Sequence, residues 1–283
     1  MELYISDLDG TLLTPEATIT DRTRDTLNRL IREGLHFSVA TARTQATVSQ
    51  ILREVAIDVP VILMNGACLY NLQDERYIKT EGLPELARAE LFETLKKHQM
   101  EGFVYTIDDN LLSTWYERID TPAARRFVAE REQRYGKVFT GVNDFTRDLS
   151  DRTMVYFSVT DRQERLAPLY ADLARTNLMR VEFYRDVYQP GNSYLEICAN
   201  TASKYFAVKY LREQYGFEKI TCFGDNVNDL PMFEASDERY AVGNALPEVK
   251  RLANDVIGNN TEDGVAQWLS HHAGKTGVKP CMF

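Results

Sequence analysis

The 283-residue chain has no stretch approaching 18 consecutive apolar residues, and no basic segment followed by a long apolar run. From the first absence no membrane-spanning helix is expected, and from the second no secretory leader. Positive charge is not in excess either, since the formal net charge is -9. Nucleic acid and anionic membranes reward positive surfaces, so neither is expected as a general partner. An anionic substrate stays open, because a metal or a few local cations can dominate the field of one site. Cysteine is scarce: Cys68, Cys198, Cys222 and Cys281 form no C-x-x-C pair and no zinc spacing. The first three lie in or beside apolar, strand-like runs and are expected as buried thiols in a reducing compartment. Internal repeats and low-complexity segments are also missing. What remains is a cytoplasmic-type protein, with 44% apolar and 27% charged residues in the range of an ordinary globular chain. Its length predicts one large domain or two smaller ones. Nothing in it signals an oligomeric state.

The chain opens on Leu3-Tyr4-Ile5-Ser6-Asp7-Leu8-Asp9-Gly10-Thr11. The apolar run to Ile5 predicts a buried strand, and Gly10 relaxes the turn that follows. Asp7 and Asp9 are two apart, a spacing that lets both carboxylates face one site beyond the strand end. Two like charges that close repel unless a cation or a proton separates them. A hard divalent ion such as Mg²⁺ suits carboxylate and carbonyl oxygen, and a carboxylate is also a usable nucleophile. Alone, the D-x-D-G-T run reads equally well as a surface turn.

Thr20 is placed to cap a helix over 21–33 with Leu27, Leu30 and Ile31 on one face, stopped by Gly34. A strand at Phe37–Arg43 ends in a polar turn, and Thr44 is placed to cap a helix carrying Val48, Ile51, Leu52 and Val55. Val61–Met64 is a third strand, closed by Asn65-Gly66. Strand and helix in alternation predict a parallel α/β sheet. From about Gly82 the texture becomes α+β. A helix is expected over 84–99, a hairpin turning at Asp108-Asp109-Asn110, a polar helix near 121–135, and strands near 154–160, 178–184 and 193–198. This stretch holds much of the aromatic content, Phe103, Tyr105, Trp115, Tyr116, Phe127, Tyr156, Phe157, Phe183, Tyr184 and Tyr188, and most of these are expected in its core. The α/β pattern returns at Ser203. Lys204 opens a helix expected to turn Phe206, Ala207, Tyr210 and Leu211 inward, and strand Ile220–Phe223 runs into Gly224-Asp225-Asn226-Val227-Asn228-Asp229. The segment from His271 to Phe283 reads as a loose polar tail.

Asp7, Asp9, Thr41, Lys204, Asp225, Asn228 and Asp229 all fall at strand ends or helix starts of the α/β pattern. Ligands of open α/β sheets bind at the carboxyl ends of strands, so four remote segments can converge on one pocket. They supply what phosphoryl transfer needs: a carboxylate nucleophile, a metal cage, a hydroxyl and an ammonium. A lysine at a helix start is mildly unfavourable, which hints at a reason for Lys204.

In order and local sequence, Asp7-Leu8-Asp9-Gly10-Thr11, Ala40-Thr41-Ala42-Arg43, Lys204 and Gly224–Asp229 resemble the four motifs of the haloacid dehalogenase superfamily. The closer resemblance is to Cof-type phosphatases, and it extends through Met64–Ala67, Ala241–Ala245 and Glu262–Ala266. It implies a Rossmann-like parallel-sheet core over 1–82 and 187–283, with an inserted α+β cap over 83–186. It further implies a phosphatase of small phosphorylated metabolites, sugar phosphates foremost. Asp7 would then be the nucleophile, forming an aspartyl phosphate, and Asp9 the acid and base. Mg²⁺ would be held by the Asp7 and Asp225 carboxylates and the Asp9 carbonyl, with Asp229 just behind. Thr41, Lys204, Asn228 and the backbone amides of Leu8 and Ala42 would hold the phosphoryl oxygens. Arg43, Asn65 and the cap residues Trp115, Tyr116 and Arg118 are candidate substrate contacts. Two departures stand out: Ala42 where relatives often have Gly, and Tyr205 where a small residue usually follows the lysine. A phosphosugar mutase like the phosphomannomutases, and a non-catalytic metabolite-binding protein, are the alternative expectations.

Overall fold

The computed structural model describes residues 1–186 and 191–272. They form two compact units: Met1–Ile78 with the chain from Ser203 onward, and Lys79–Ala202. Tyr188, Cys281 and the tail beyond His272 lie outside the described residues.

The first unit opens with β1 (Glu2–Ser6), α1 (Asp21–Arg32), β2 (His36–Val39), α2 (Gln45–Ile51), β3 (Val61–Leu63), β4 (Cys68–Asn71) and the start of β5 (Arg76–Thr80), whose last residues begin the second unit. The second unit holds α3 (Glu85–His98), β6 (Phe103–Asp108), β7 (Leu111–Tyr116), α4 (Pro122–Tyr135), β8 (Thr140–Gly141) and α5 (Phe145–Asp148). It continues through β9 (Met154–Arg162), α6 (Gln163–Thr176), β10 (Arg180–Arg185) and β11 (Asn192–Cys198). The chain then completes the first unit with α7 (Lys204–Tyr215), β12 (Lys219–Gly224), α8 (Leu230–Ala235) and β13 (Glu238–Ala241). Last come α9 (Pro247–Leu252), β14 (Asp255–Val256) and α10 (Gly264–His272).

In the first unit the parallel sheet runs β14-β13-β12-β1-β2, and a parallel bridge from Ala40 to Ile62 brings β3 alongside. Inside it, flanked by β12 and β2, β1 carries Leu3 and Ile5 with no exposure at all. The chain steps outward from β1 through β2 on one side, and after the second unit it resumes on the other side with β12. That reversal of strand order opens a crevice at the carboxyl end of β1, the place where α/β sheets bind ligands. The Thr20 hydroxyl accepts the Thr23 amide at 3.0 Å and starts α1, as the sequence predicts.

The second unit is a sheet of order β10-β11-β9-β6-β7-β8 with helices packed on it. Asp109 and Asn110, both with positive φ, form the two-residue hairpin between β6 and β7. Phe103, Tyr105, Phe127, Tyr156 and Phe157 are buried as expected, whereas Trp115 and Phe183 are half-buried. Cys68, Cys198 and Cys222 are buried free thiols, and burial pushes each thiol up. No helix among the described residues is long and apolar enough to cross a membrane.

Three expectations need correction. The chain from Gly191 does not rejoin the core sheet at once, because β11 pairs antiparallel with β9 and β10, and the second unit runs to Ala202. Thr44 precedes α2 but makes no capping bond, and its buried hydroxyl has no hydrogen-bond partner. On α7, Phe206 points outward and Tyr210 is only half-buried; the buried stripe is Lys204, Ala207, Val208 and Leu211. These four fall at i, i+3, i+4 and i+7, so the periodicity was sound but its phase depended on counting a lysine as inward.

Candidate active site

Because the core strands are parallel, the residues that follow β1, β2 and β12 emerge on one edge of the sheet, with β1 between the other two. Asp7 follows β1, and its amide donates to the Phe223 carbonyl at 3.0 Å. Thr41 follows β2, its amide bonded to Ile62 O at 2.9 Å and its carbonyl accepting the Asn65 amide at 3.0 Å. Asp225 follows β12.

Lys204, at the first position of α7, is fully buried, and its ammonium donates to Asp7 Oδ1 and to Asp229 Oδ1, each at 2.6 Å. That answers why a cation stands at a helix start. The other Asp229 oxygen accepts the amides of Asp225 at 2.9 Å and Asn226 at 3.1 Å, so this aspartate braces the whole loop after β12. Thr11 Oγ1 donates to Asp225 Oδ1 at 2.7 Å. Asn228 Nδ2 donates to Asn65 Oδ1 at 3.2 Å, which joins two predicted site residues that are distant in sequence. Asp9 is held differently: Arg43 clamps its carboxylate through Nε at 2.7 Å and Nη2 at 2.6 Å. Sequence reasoning placed Arg43 against substrate, and the structure gives it this bidentate pairing.

Asp7, Asp225 and Asp229 are buried, and each offers an oxygen within 4.8 Å of the others. Three carboxylates around one lysine leave excess negative charge in a region shut off from water. Burial first, then Asp229, push Asp7 well above the usual carboxylate range, against the pull of Lys204. Burial and Asp229 likewise raise Asp225 to about 8, although the Thr11 hydroxyl and Lys204 oppose it. Burial alone would lower Lys204, but the Asp229 and Asp7 charges outweigh it and keep the ammonium charged. The unspent requirement is for a further positive charge. Among the described residues, Asp7 and Asp225 each keep one oxygen without a hydrogen-bond donor. Two hard oxygens in an over-negative pocket fit a divalent cation.

Several residues that shape this site carried no role in the sequence reading. Thr11 stands inside the first motif and holds Asp225. The Asn244 amide donates to Gly10 O at 2.7 Å and its oxygen accepts the Asn260 amide at 3.0 Å; Asn260 in turn donates to Leu13 O at 2.8 Å. Together they strap the turn after β1 to the far end of the unit. Asn244 lies within a stretch that resembles relatives, and that was the only available signal. Ala42 has negative φ, so its departure from Gly adds no strain. Tyr205 is half-buried beside Phe206, the ring centroids 5.3 Å apart. Trp115, Tyr116 and Arg118 belong to the second unit. There the Trp115 indole donates to Thr106 Oγ1 at 2.9 Å, and Arg118 lies 3.7 Å from Asp120.

Gly66 shows how closely these segments approach. Its φ is +96°, and a Cβ placed there would lie 2.2 Å from the Ser203 backbone and 2.8 Å from the Lys204 nitrogen. Gly66→Ala is therefore expected to lower stability by on the order of 3 kcal/mol, combining left-handed strain with a backbone clash. Urea unfolding followed by circular dichroism measures it. An unchanged midpoint would show that Ser203 and Lys204 are not locked against this turn.

The sequence matches the model of the haloacid dehalogenase-like hydrolases over residues 4–269. It is 29% identical over 276 residues to the pyridoxal phosphate phosphatase YbhA of Escherichia coli, covering 94% of this chain and 96% of that one. It is 24% identical over 284 residues to the 5-amino-6-(5-phospho-D-ribitylamino)uracil phosphatase YitU of Bacillus subtilis, covering 95% and 97% respectively. In fold it is similar to a haloacid dehalogenase-like hydrolase from B. subtilis, with a TM-score of 0.79 at 23% identity over 96% of this chain and 100% of that one.

Proposed function

The chain belongs to the haloacid dehalogenase-like hydrolase family, Cof type, and on that premise we propose that it is a Mg²⁺-dependent phosphatase of small phosphorylated metabolites, sugar phosphates included. One observation carries the reading: a buried Asp7 whose one oxygen is fixed by Lys204 while the other is left without a donor. That is the arrangement of an oriented carboxylate nucleophile.

The Asp7 oxygen attacks phosphorus in line, and the ester oxygen departs, leaving an aspartyl phosphate on Asp7. Asp9 supplies the proton that the departing oxygen needs, then takes one from the water that hydrolyses the intermediate. Arg43 occupies both Asp9 oxygens, so that pairing opens when Asp9 exchanges a proton with the departing oxygen. Thr41, Asn228 and Lys204, with the amides of Leu8 and Ala42, hold the phosphoryl oxygens. Asp229 keeps Lys204 and the Asp225 loop in place. The Asp7 and Asp225 carboxylates and the Asp9 carbonyl would hold Mg²⁺, which when bound offsets the charge of the phosphoryl group and the surrounding carboxylates.

Phosphate release from p-nitrophenyl phosphate, pyridoxal phosphate, the ribitylaminouracil phosphate and a panel of sugar phosphates tests the proposal. Activity is expected with Mg²⁺ and not with excess chelator. Asp225→Asn, which swaps a charged ligand for a neutral one, is expected to raise the Mg²⁺ needed for half-maximal rate by about 10- to 100-fold. Full activity in chelator would exclude the metal role, and release only in the presence of a bisphosphorylated sugar would favour a mutase.

A further inference from the structure

The turn that closes β3 is left-handed for three residues in succession: φ is +48° at Met64, +51° at Asn65 and +96° at Gly66. Residues other than glycine rarely adopt that region, and a buried run of it persists only where the surroundings hold it. Here they do. The Met64 amide donates to Arg43 O at 3.2 Å and the Asn65 amide to Thr41 O at 3.0 Å, while Gly66 lies against the Ser203 backbone. The turn abuts the segment after β2 and the start of α7 at once.

Asparagine tolerates a left-handed backbone better than most residues, so φ by itself would account for Asn65. Its side chain does more. Asn65 is 2% exposed, and its carboxamide oxygen accepts the Asn228 Nδ2 group at 3.2 Å, across 163 residues of sequence. Rotating a carboxamide by half a turn exchanges an acceptor for a pair of donors. The bond to Asn65 settles that choice for Asn228. It holds the nitrogen beside Asn65, and the second N–H on that nitrogen makes no bond among the described residues. A reversed carboxamide would set its oxygen against a phosphoryl oxygen, acceptor facing acceptor, in a pocket that is already over-negative.

We infer that Asn65 is a positioning residue of the phosphoryl site, fixing Asn228 through its side chain and Thr41 through its amide. This rests on the proposed function, in which Thr41 and Asn228 hold the phosphoryl oxygens. Thr41 follows β2 and Asn228 follows β12, on opposite sides of β1, so sheet register alone does not fix their separation. Asn65 bonds to both and sets it. Donors spaced in advance need no ordering when the phosphoryl group arrives, and small misplacements there are expensive in rate.

The test is a double-variant cycle on the full chain, with p-nitrophenyl phosphate and saturating Mg²⁺. Asn65→Gly keeps the left-handed backbone and its bond to Thr41, and removes only the carboxamide. Asn228→Ala removes the oriented donor itself. Asn228→Ala is expected to lower kcat/KM by about 10²-fold. Asn65→Gly should lower it by about 10-fold, with the loss divided between kcat and KM in the same proportion. Inhibition by inorganic phosphate should weaken in parallel. The double variant decides: it is expected to be no slower than Asn228→Ala alone, because the Asn65 carboxamide then has nothing left to orient. A general loosening of the site would instead raise the Mg²⁺ requirement of Asn65→Gly and make the two losses multiply. Multiplied losses, or wild-type kcat/KM in Asn65→Gly, overturn the inference and leave Asn65 as a residue selected for its backbone. Failure of the underlying reading looks different: Asn228→Ala would match the wild type, or the wild type would release no phosphate, and the inference would fall with it.

Discussion

Asp7→Asn is expected to lower phosphate release by on the order of 10⁴-fold or more, with the fold intact. The carboxamide has nearly the shape of the carboxylate, so the 2.6 Å contact with Lys204 can be kept through its oxygen. What it loses is the lone-pair nucleophilicity of a charged oxygen, and no neighbour replaces that. Asp225 is occupied by Thr11 on one oxygen, and Asp229 has both oxygens engaged, one by Lys204 and one by two backbone amides. Stability should hold or rise, since burial and the other carboxylates already push Asp7 well above its ordinary range and make its charge expensive. The measurement pairs steady-state turnover of p-nitrophenyl phosphate with a urea midpoint. Turnover near the wild-type rate would remove Asp7 as the nucleophile. A collapsed midpoint would mean that the charge itself holds the cluster together.

Lys204→Met should cost both rate and stability, for separable reasons. The lysine is fully buried between two carboxylates, so its removal leaves Asp7 and Asp229 facing each other without a counter-charge. Breaking such a pair typically costs on the order of 3 kcal/mol. Methionine fills most of the volume, so packing contributes little of that loss. For catalysis, a charged donor beside the phosphoryl group is worth about 10²- to 10³-fold. The double variant Lys204→Met with Asp229→Asn discriminates the two effects. It removes one of the two stranded charges, so the urea midpoint should recover in large part while kcat/KM stays low. If rate and midpoint recover together, Lys204 is only a structural bridge. If Lys204→Met leaves kcat/KM unchanged, the lysine plays no part in the reaction.

Much of this molecule was legible in its sequence because the relevant signals are local. The alternation of short apolar runs with helical periodicity predicted the parallel sheet around β1, and Thr20 announced the start of α1. The hairpin at Asp109-Asn110 could be read because a two-residue turn with positive φ selects its residues. The first motif could be singled out for the same reason: Asp7, Asp9, Gly10 and Thr11 lie on five consecutive residues, although alone the run reads equally well as a surface turn and only the other motifs gave it weight. Placing Asp7, Thr41 and Asp225 on one edge needed only the rule that parallel strands end together.

What the sequence could not determine depends on side chains that meet from distant parts of the chain. Arg43 clamps Asp9 rather than pointing elsewhere because the turn after β2 faces the turn after β1, and a single sequence contains no register between them. The Thr11 bond to Asp225 spans 214 residues and the Asn244 bond to Gly10 spans 234, distances over which propensity says nothing. The inward phase of α7 turned on whether Lys204 counts as polar surface or buried core. Only the two aspartates across from it decide that, because an ammonium is tolerated inside when carboxylates meet it there. β11 joined the second unit because its backbone groups found partners on β9 and β10, although its residues suit either sheet equally well.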